Sequence, residues 1–200
     1  MSQSPETDSH ASERPLLIQA LREVLAQGLD LAEGVEPAIF SAPPEGLANS
    51  GVGPHLRHAL DFCRRFVEGL ETGQIDYDRR ERDPREETDP AFAADCVRSV
   101  MVRLEACRTF DPTTAVDVRH DVPAGLIGHD DPNDALWTRS TLGRELLFVL
   151  SHTIHHYALM AMSLRHHGVE PGPDFGVAPS TLRYWAEEGA TVGAPVAAGG

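Results

Sequence analysis

Leu17, Leu21, Val24 and Leu25 recur at the three- and four-residue spacing that puts side chains on one face of a helix. They predict a first helix from Pro15 to about Gln27, with Ser12 as its cap, Pro15 in its first turn and Gly28 as its stop. After a connection rich in Gly and Pro, a second helix begins near Ser50 to Pro54. Its buried stripe is Leu56, Leu60, Cys63, Val67 and Leu70, and Gly73 marks its end. The segment YDRRERDPREETDP is highly charged and broken by proline, which predicts a solvated crossover rather than a core element. Asp89-Pro90 is a strong helix start, because a carboxylate can cap free N–H groups and the first helical position needs no N–H of its own. Phe92, Cys96, Val97, Val100, Leu104 and Cys107 carry that third helix until Asp111-Pro112 stops it. From Thr113 to Trp137, Val116, Val118 and Val122 alternate with charged neighbours, which predicts a short hairpin or an extended loop ended by HDDPND. Ser140 and Thr141 then cap the longest apolar helix, Leu142 to about His167, closed by Gly168 with Pro171 beyond.

Four long helices with irregular connections predict an all-α fold: a four-helix bundle with long crossover loops and a short β-hairpin before the last long helix. The pattern places one domain at 13–188, with polar (1–12) and Gly/Ala-rich (189–200) disordered tails. No internal repeat is visible.

Composition narrows the chemistry. Of the 200 residues, 31 are acidic and 17 basic, a formal charge of −14, so neither nucleic acid nor an anionic membrane surface is an expected partner. Every basic residue is arginine, which excludes a Schiff-base lysine or a phosphate-loop lysine. Cys63, Cys96 and Cys107 fit no zinc-ribbon or thioredoxin spacing and read as reduced core thiols. The opening MSQSPETDSHASER has neither a basic start nor an apolar run, so a cytoplasmic address is expected.

Ten histidines are the one compositional excess. In SHTIHHYALMAMSLRHH, His152 and His156 lie four apart, about 40 degrees around a helix axis, so both imidazoles can reach one point. In GPHLRHALD, His55 and His58 lie three apart and either can supply a third nitrogen if the two helices are neighbours. Three neutral nitrogens with an open position suit one divalent ion: zinc, nickel or ferrous iron. The competing reading is a set of packed or surface histidines. Against it, Leu142 to Leu164 is nearly all apolar, and buried imidazoles need partners. Position relative to the apolar stripe of the second helix favours His55 over His58. Thr153 follows His152 where a zincin carries its glutamate, so metalloprotease chemistry lacks its base. His166 and His167 suit the negative end of the helix dipole, while His10, His120 and His129 fall in tails or loops.

The stretches PHLRHALD and SHTIHHY resemble the DinB-like superfamily of small bacterial metal-binding four-helix proteins, and the resemblance runs over roughly residues 14–188. It implies that His58, followed by Ala59, Leu60 and Asp61, joins His152 and His156 as the metal ligands, with His55 the alternative to His58. It also implies a thiol-dependent S-transferase or a hydrolase acting on a small molecule, with a low-molecular-weight thiol as co-substrate. The sulfoxide-synthase branch is disfavoured, since Ala158 stands where that branch has a glutamate. A metal-bound thiol or water would lose its proton near neutral pH and attack an electrophile. Asp61, one turn beyond His58, is a candidate to orient that ring or to act as a fourth ligand, equally a solvated carboxylate. Glu145, two turns before His152, is a candidate base or hydrogen-bond acceptor, equally a first-turn glutamate suited to the helix dipole. Tyr157 and His155 point away from the ligand pair. The Tyr77–Asp83 run can cover the site and read an anion through its arginines, or serve as a solvated face. Trp137, Tyr184 and Trp185 are expected to pack against the ends of the bundle. Two further classes stay open: a metal- or ligand-binding protein without turnover, and a stress-related interaction protein. A homodimer through exposed apolar faces is the expected assembly.

Overall fold

The computed structural model describes residues 9–46, 51–79, 83–107, 109–119 and 136–189, with side chains of the first helix from Leu16 onward. It is mostly helical: α1 (Ser9–Gly34), α2 (Pro37–Ser41), α3 (Val52–Thr72), α4 (Arg85–Thr88), α5 (Pro90–Ala106), α6 (Leu142–His166) and α7 (Pro179–Glu188). Three short strands, β1 (Gln74–Asp76), β2 (Ala115–Arg119) and β3 (Trp137–Thr141), form one sheet. The expected tails fall largely outside the described residues, as do Val122, His120 and His129.

Where the caps were strongest the elements start as expected. Asp89 accepts from the backbone N–H groups of Ala91 and Phe92 at 3.0 and 3.2 Å, and α5 follows. Thr141 ends β3 and caps α6 at once, its hydroxyl accepting from Arg144 N. Gly73 closes α3 in the left-handed region at φ 73°, where a side chain would be strained.

Several expectations need correction. Gly28 does not stop α1, which begins at Ser9 and runs on to Gly34. Gly28 is instead a point of close approach, since a Cβ there would collide with the Tyr157 ring of α6. The charged crossover is also more structured than its composition suggests. It follows directly on β1 and contains α4, Tyr77 and Glu86 are buried, and Tyr77 N extends the ladder by donating to Arg119 O at 3.1 Å. Residues 80–82 of that run lie outside the described residues.

The sheet holds an antiparallel pair before the last long helix, but its second strand is β3, at the end of and beyond the expected Thr113–Trp137 stretch, with Ala115 opposite Thr141 and Arg119 opposite Trp137. Strand β1 adds in parallel on the other edge of β2. Three residues are too short to show alternation, which is why β1 is invisible to periodicity.

The core lies where α1, α3, α5 and α6 meet, with α3 packed on α6 and α1 on α5. Leu21 and Leu25 of α1, Leu56, Leu60, Cys63 and Phe66 of α3, Val97 and Leu104 of α5, and Leu146, Val149 and Tyr157 of α6 are fully buried. Each fully buried large apolar side chain contributes about 1.5–3 kcal/mol relative to exposure. Cys63 belongs to this core, whereas Cys96 and Cys107 are only half-buried, and all three are free thiols. The aromatic residues expected at the ends are less buried than predicted: Trp137 and Tyr184 are exposed and Trp185 is half-buried. Among the described residues, no helix is long and apolar enough to cross a membrane.

Candidate metal centre

The contact of α3 with α6 is set by small and apolar residues, and the histidines ride on its edge. Leu56, Ala59 and Cys63 of α3 and Val149, Thr153 and Tyr157 of α6 are fully buried in the core where these helices pack. Thr153 donates its hydroxyl to Val149 O at 2.8 Å and meets Cys63 Sγ at 3.8 Å, so the two helices are held in register beside the imidazoles. In that register His58 of α3 reaches the His152–His156 pair of α6. Ring centroids are 5.1 Å apart for His58 and His152, and 4.5 Å for both His58–His156 and His152–His156.

Each of these three histidines offers one ligand nitrogen, and the three atoms lie within 4.8 Å of one another. Imidazole nitrogens at about 2.1 Å from a tetrahedral zinc ion are about 3.4 Å apart, so binding draws the rings together by no more than about 1.4 Å. Side-chain rotation alone covers such a distance. The electrostatics suit a cation. Burial, then the neighbouring His152, His58, His55 and His155, push the His156 imidazole down to about 3. Burial and His155 likewise lower His55. Neutral rings keep the lone pairs that ligation needs.

An aromatic wall backs the cluster. Phe62 lies 4.0 Å from the His152 ring and Phe148 5.7 Å from it, and Tyr77 stacks on Phe62 at 4.8 Å. Sequence reading missed these three. Phe62 follows His58 by four and Phe148 precedes His152 by four, the same helical spacing that exposed the ligands, so both carried a usable signal. Tyr77 carried none of that helical spacing, because it follows β1 at the head of a segment dominated by charge.

His55, favoured by the apolar stripe, is not one of the three mutually close ligands; its Nδ1 lies 3.1 Å from Nδ1 of His156. Asp61 is not solvated. It is 5% exposed and accepts from Arg57 at 2.8 Å and Arg64 at 3.3 Å, while burial raises its carboxyl against the pull of those arginines. Glu145 is 2% exposed and accepts from Tyr77 Oη at 3.0 Å, Ser140 Oγ at 2.6 Å and Arg144 at 3.2 Å. It is linked toward the histidine cluster through Tyr77 and the aromatic wall. Neither carboxylate belongs to the set of mutually close ligand atoms. Burial and Glu145 together raise the Tyr77 hydroxyl far above its ordinary range. Beyond the wall, Tyr77, Ser140, Arg144, Glu145 and Phe148 line a cavity of about 340 Å³. Tyr157 is buried and stacks on Phe175, in keeping with a packing role, and His155 is exposed.

No protein-family model matches the chain, and no solved structure matches it. The chain is similar to FK506-binding protein 5 of Rhizopus delemar, at 29% identity over 112 residues. That stretch is 55% of this chain and 27% of the relative, so the chain spans about a quarter of that protein's length.

Proposed function

We propose that this chain is a divalent-metal-dependent enzyme of the DinB-like superfamily, a four-helix bundle that acts on a small molecule as a thiol-dependent S-transferase or a hydrolase. One observation carries the reading: nitrogens of His58, His152 and His156, from two packed helices, lie within 4.8 Å of one another beside an aromatic wall. Three imidazole nitrogens are a donor set that zinc, nickel and ferrous iron all accept. A bound ion would supply Lewis acidity, lowering the pKa of a thiol or water at an open position. The chain's own residues do the rest. His58 holds from α3 and His152 and His156 from α6, so the site depends on the packing of those helices. Phe62 and Phe148 fix the His152 ring and exclude water from that side. Glu145 holds the Tyr77 hydroxyl and thereby the ring that stacks on Phe62. A cytoplasmic location and a homodimeric assembly complete the proposal.

A second reading, metal or ligand binding without turnover, has its own support. Asp61 and Glu145, the two candidate carboxylates, both direct their oxygens to internal donors. The deciding experiment measures metal content by mass spectrometry on untagged protein beside His58→Ala and His152→Ala. Near-stoichiometric metal in the wild type, lost in both variants, is the expected result. A folded, metal-free wild type from metal-replete purification overturns the proposal. Thiol-dependent loss of an electrophile then separates the enzyme from the binding protein.

A further inference from the structure

We infer that His55 is a positioning residue for His156: its Nδ1 accepts a hydrogen bond from Nδ1–H of His156 and so leaves Nε2 of His156 as the metal-facing atom. The inference rests on the metal-binding reading above. His55 lies one turn before His58 on α3, and its Nδ1 is 3.1 Å from Nδ1 of His156, with ring centroids 5.2 Å apart and planes at 40°.

The direction of that bond follows from proton counting. A neutral imidazole carries one N–H and one lone pair, so a bond between two such nitrogens needs one donor and one acceptor. If His55 donated, His156 would accept at Nδ1 and carry its own proton on Nε2. Neither nitrogen of His156 would then be open to an ion. Ligation through Nε2 requires the reverse: the proton of His156 on Nδ1, and His55 accepting there while protonated on its own Nε2. A metal-ligating histidine commonly donates its second ring N–H in this way, which fixes the tautomer and orients the ring. The remaining arrangement directs both Nδ1 lone pairs at the ion and makes His55 a fourth ligand. His55 lies outside the group of mutually close ligand nitrogens, which argues against it.

The test compares wild type, His55→Leu and His55→Asn, where Asn keeps an acceptor near the position of Nδ1. Zinc affinity is read by chelator competition, the cobalt-substituted visible spectrum reports the ligand set, and nitrogen NMR of metal-free wild type reads the His156 tautomer directly. The expected results are an Nδ1–H tautomer at His156 and zinc affinity 10- to 100-fold weaker in His55→Leu. His55→Asn should stay within about threefold of wild type, and the cobalt spectrum should be alike in all three proteins. Unchanged affinity in His55→Leu, or an Nε2–H tautomer at His156, overturns the inference. A cobalt spectrum that changes in both variants overturns it in favour of a fourth ligand. A wild type that binds no metal overturns the metal-binding reading instead, while the tautomer in that protein still decides the hydrogen bond.

Discussion

Helix α3 gathers polar side chains on two faces by opposite means. Toward α6 it presents His55 and His58, which meet His152 and His156 with burial depressing the basicity of His55 and His156. Toward α4 it presents Arg57, Asp61 and Arg64, of which Arg57 and Asp61 are more buried than His55 and His58, and all three are held in ion pairs. Arg57 pairs with Asp61 at 2.8 Å and Glu87 at 2.5 Å, and Arg64 pairs with Glu86 at 2.9 Å and Asp61 at 3.3 Å. Neutral nitrogens can crowd together without counter-ions and remain ready for a cation from outside. Charged groups can be buried only when each brings its partner, and once paired they have little left for a ligand. The first face has the form of a binding site and the second that of a structural clamp, although they are one turn apart on one helix.

The contrast predicts crossed phenotypes. The largest effect is on metal: His58→Ala and His152→Ala should fall from near one ion per chain to near none. Their urea midpoints, compared in metal-free protein, should stay close to wild type. A large loss of stability there would mean that the histidines also serve as clamp. Next, Asp61→Ala removes one of two carboxylate partners from each of Arg57 and Arg64, which keep Glu87 and Glu86, and should cost about 1–3 kcal/mol in urea unfolding. Metal per folded chain should be retained; metal lost from a stable Asp61→Ala protein would make Asp61 a ligand.

Acidification sharpens the same contrast. His156 is held down to about 3 in the folded chain, whereas an unfolded histidine titrates at 6.5. Its folded pKa is depressed, so stability is fully present above about pH 6.5 and falls as pH drops from 6.5 toward 3. His156→Gln should flatten that part of the stability profile of metal-free protein, read by denaturant titration at successive pH values. An unaltered slope would show that the ring is solvated. The smallest effect concerns the wall. Tyr77→Phe removes the hydroxyl that Glu145 accepts and should cost about 1 kcal/mol, with metal content unchanged, by unfolding and metal assay together.

Much of this was legible in the chain, for local reasons. The starts of α5 and α6 are carried by caps that act within three residues, Asp89 on Ala91 and Phe92, Thr141 on Arg144. Gly28 misled because a helix stop and a close helix contact call for the same residue. The crossover misled because its charge hides Tyr77 and Glu86, whose partners come from elsewhere in the chain. The choice between His55 and His58 could not be made from the stripe, since two residues three apart both border one helical face.

By itself, the sequence determined what a single helix determines: His152 and His156 share a face because a rise and rotation per residue leave them no alternative. It also determined that the only cations are arginines and that histidine is the one available cluster of neutral nitrogen ligands. Only tertiary structure decided that α3 lies against α6 in the register that brings His58, rather than His55, into the triad. It likewise decided that Glu145 accepts from the Tyr77 hydroxyl, which arrives from another part of the chain. Those outcomes depend on contacts between residues as far as 101 positions apart, as in the pair His55–His156, and no local periodicity encodes them.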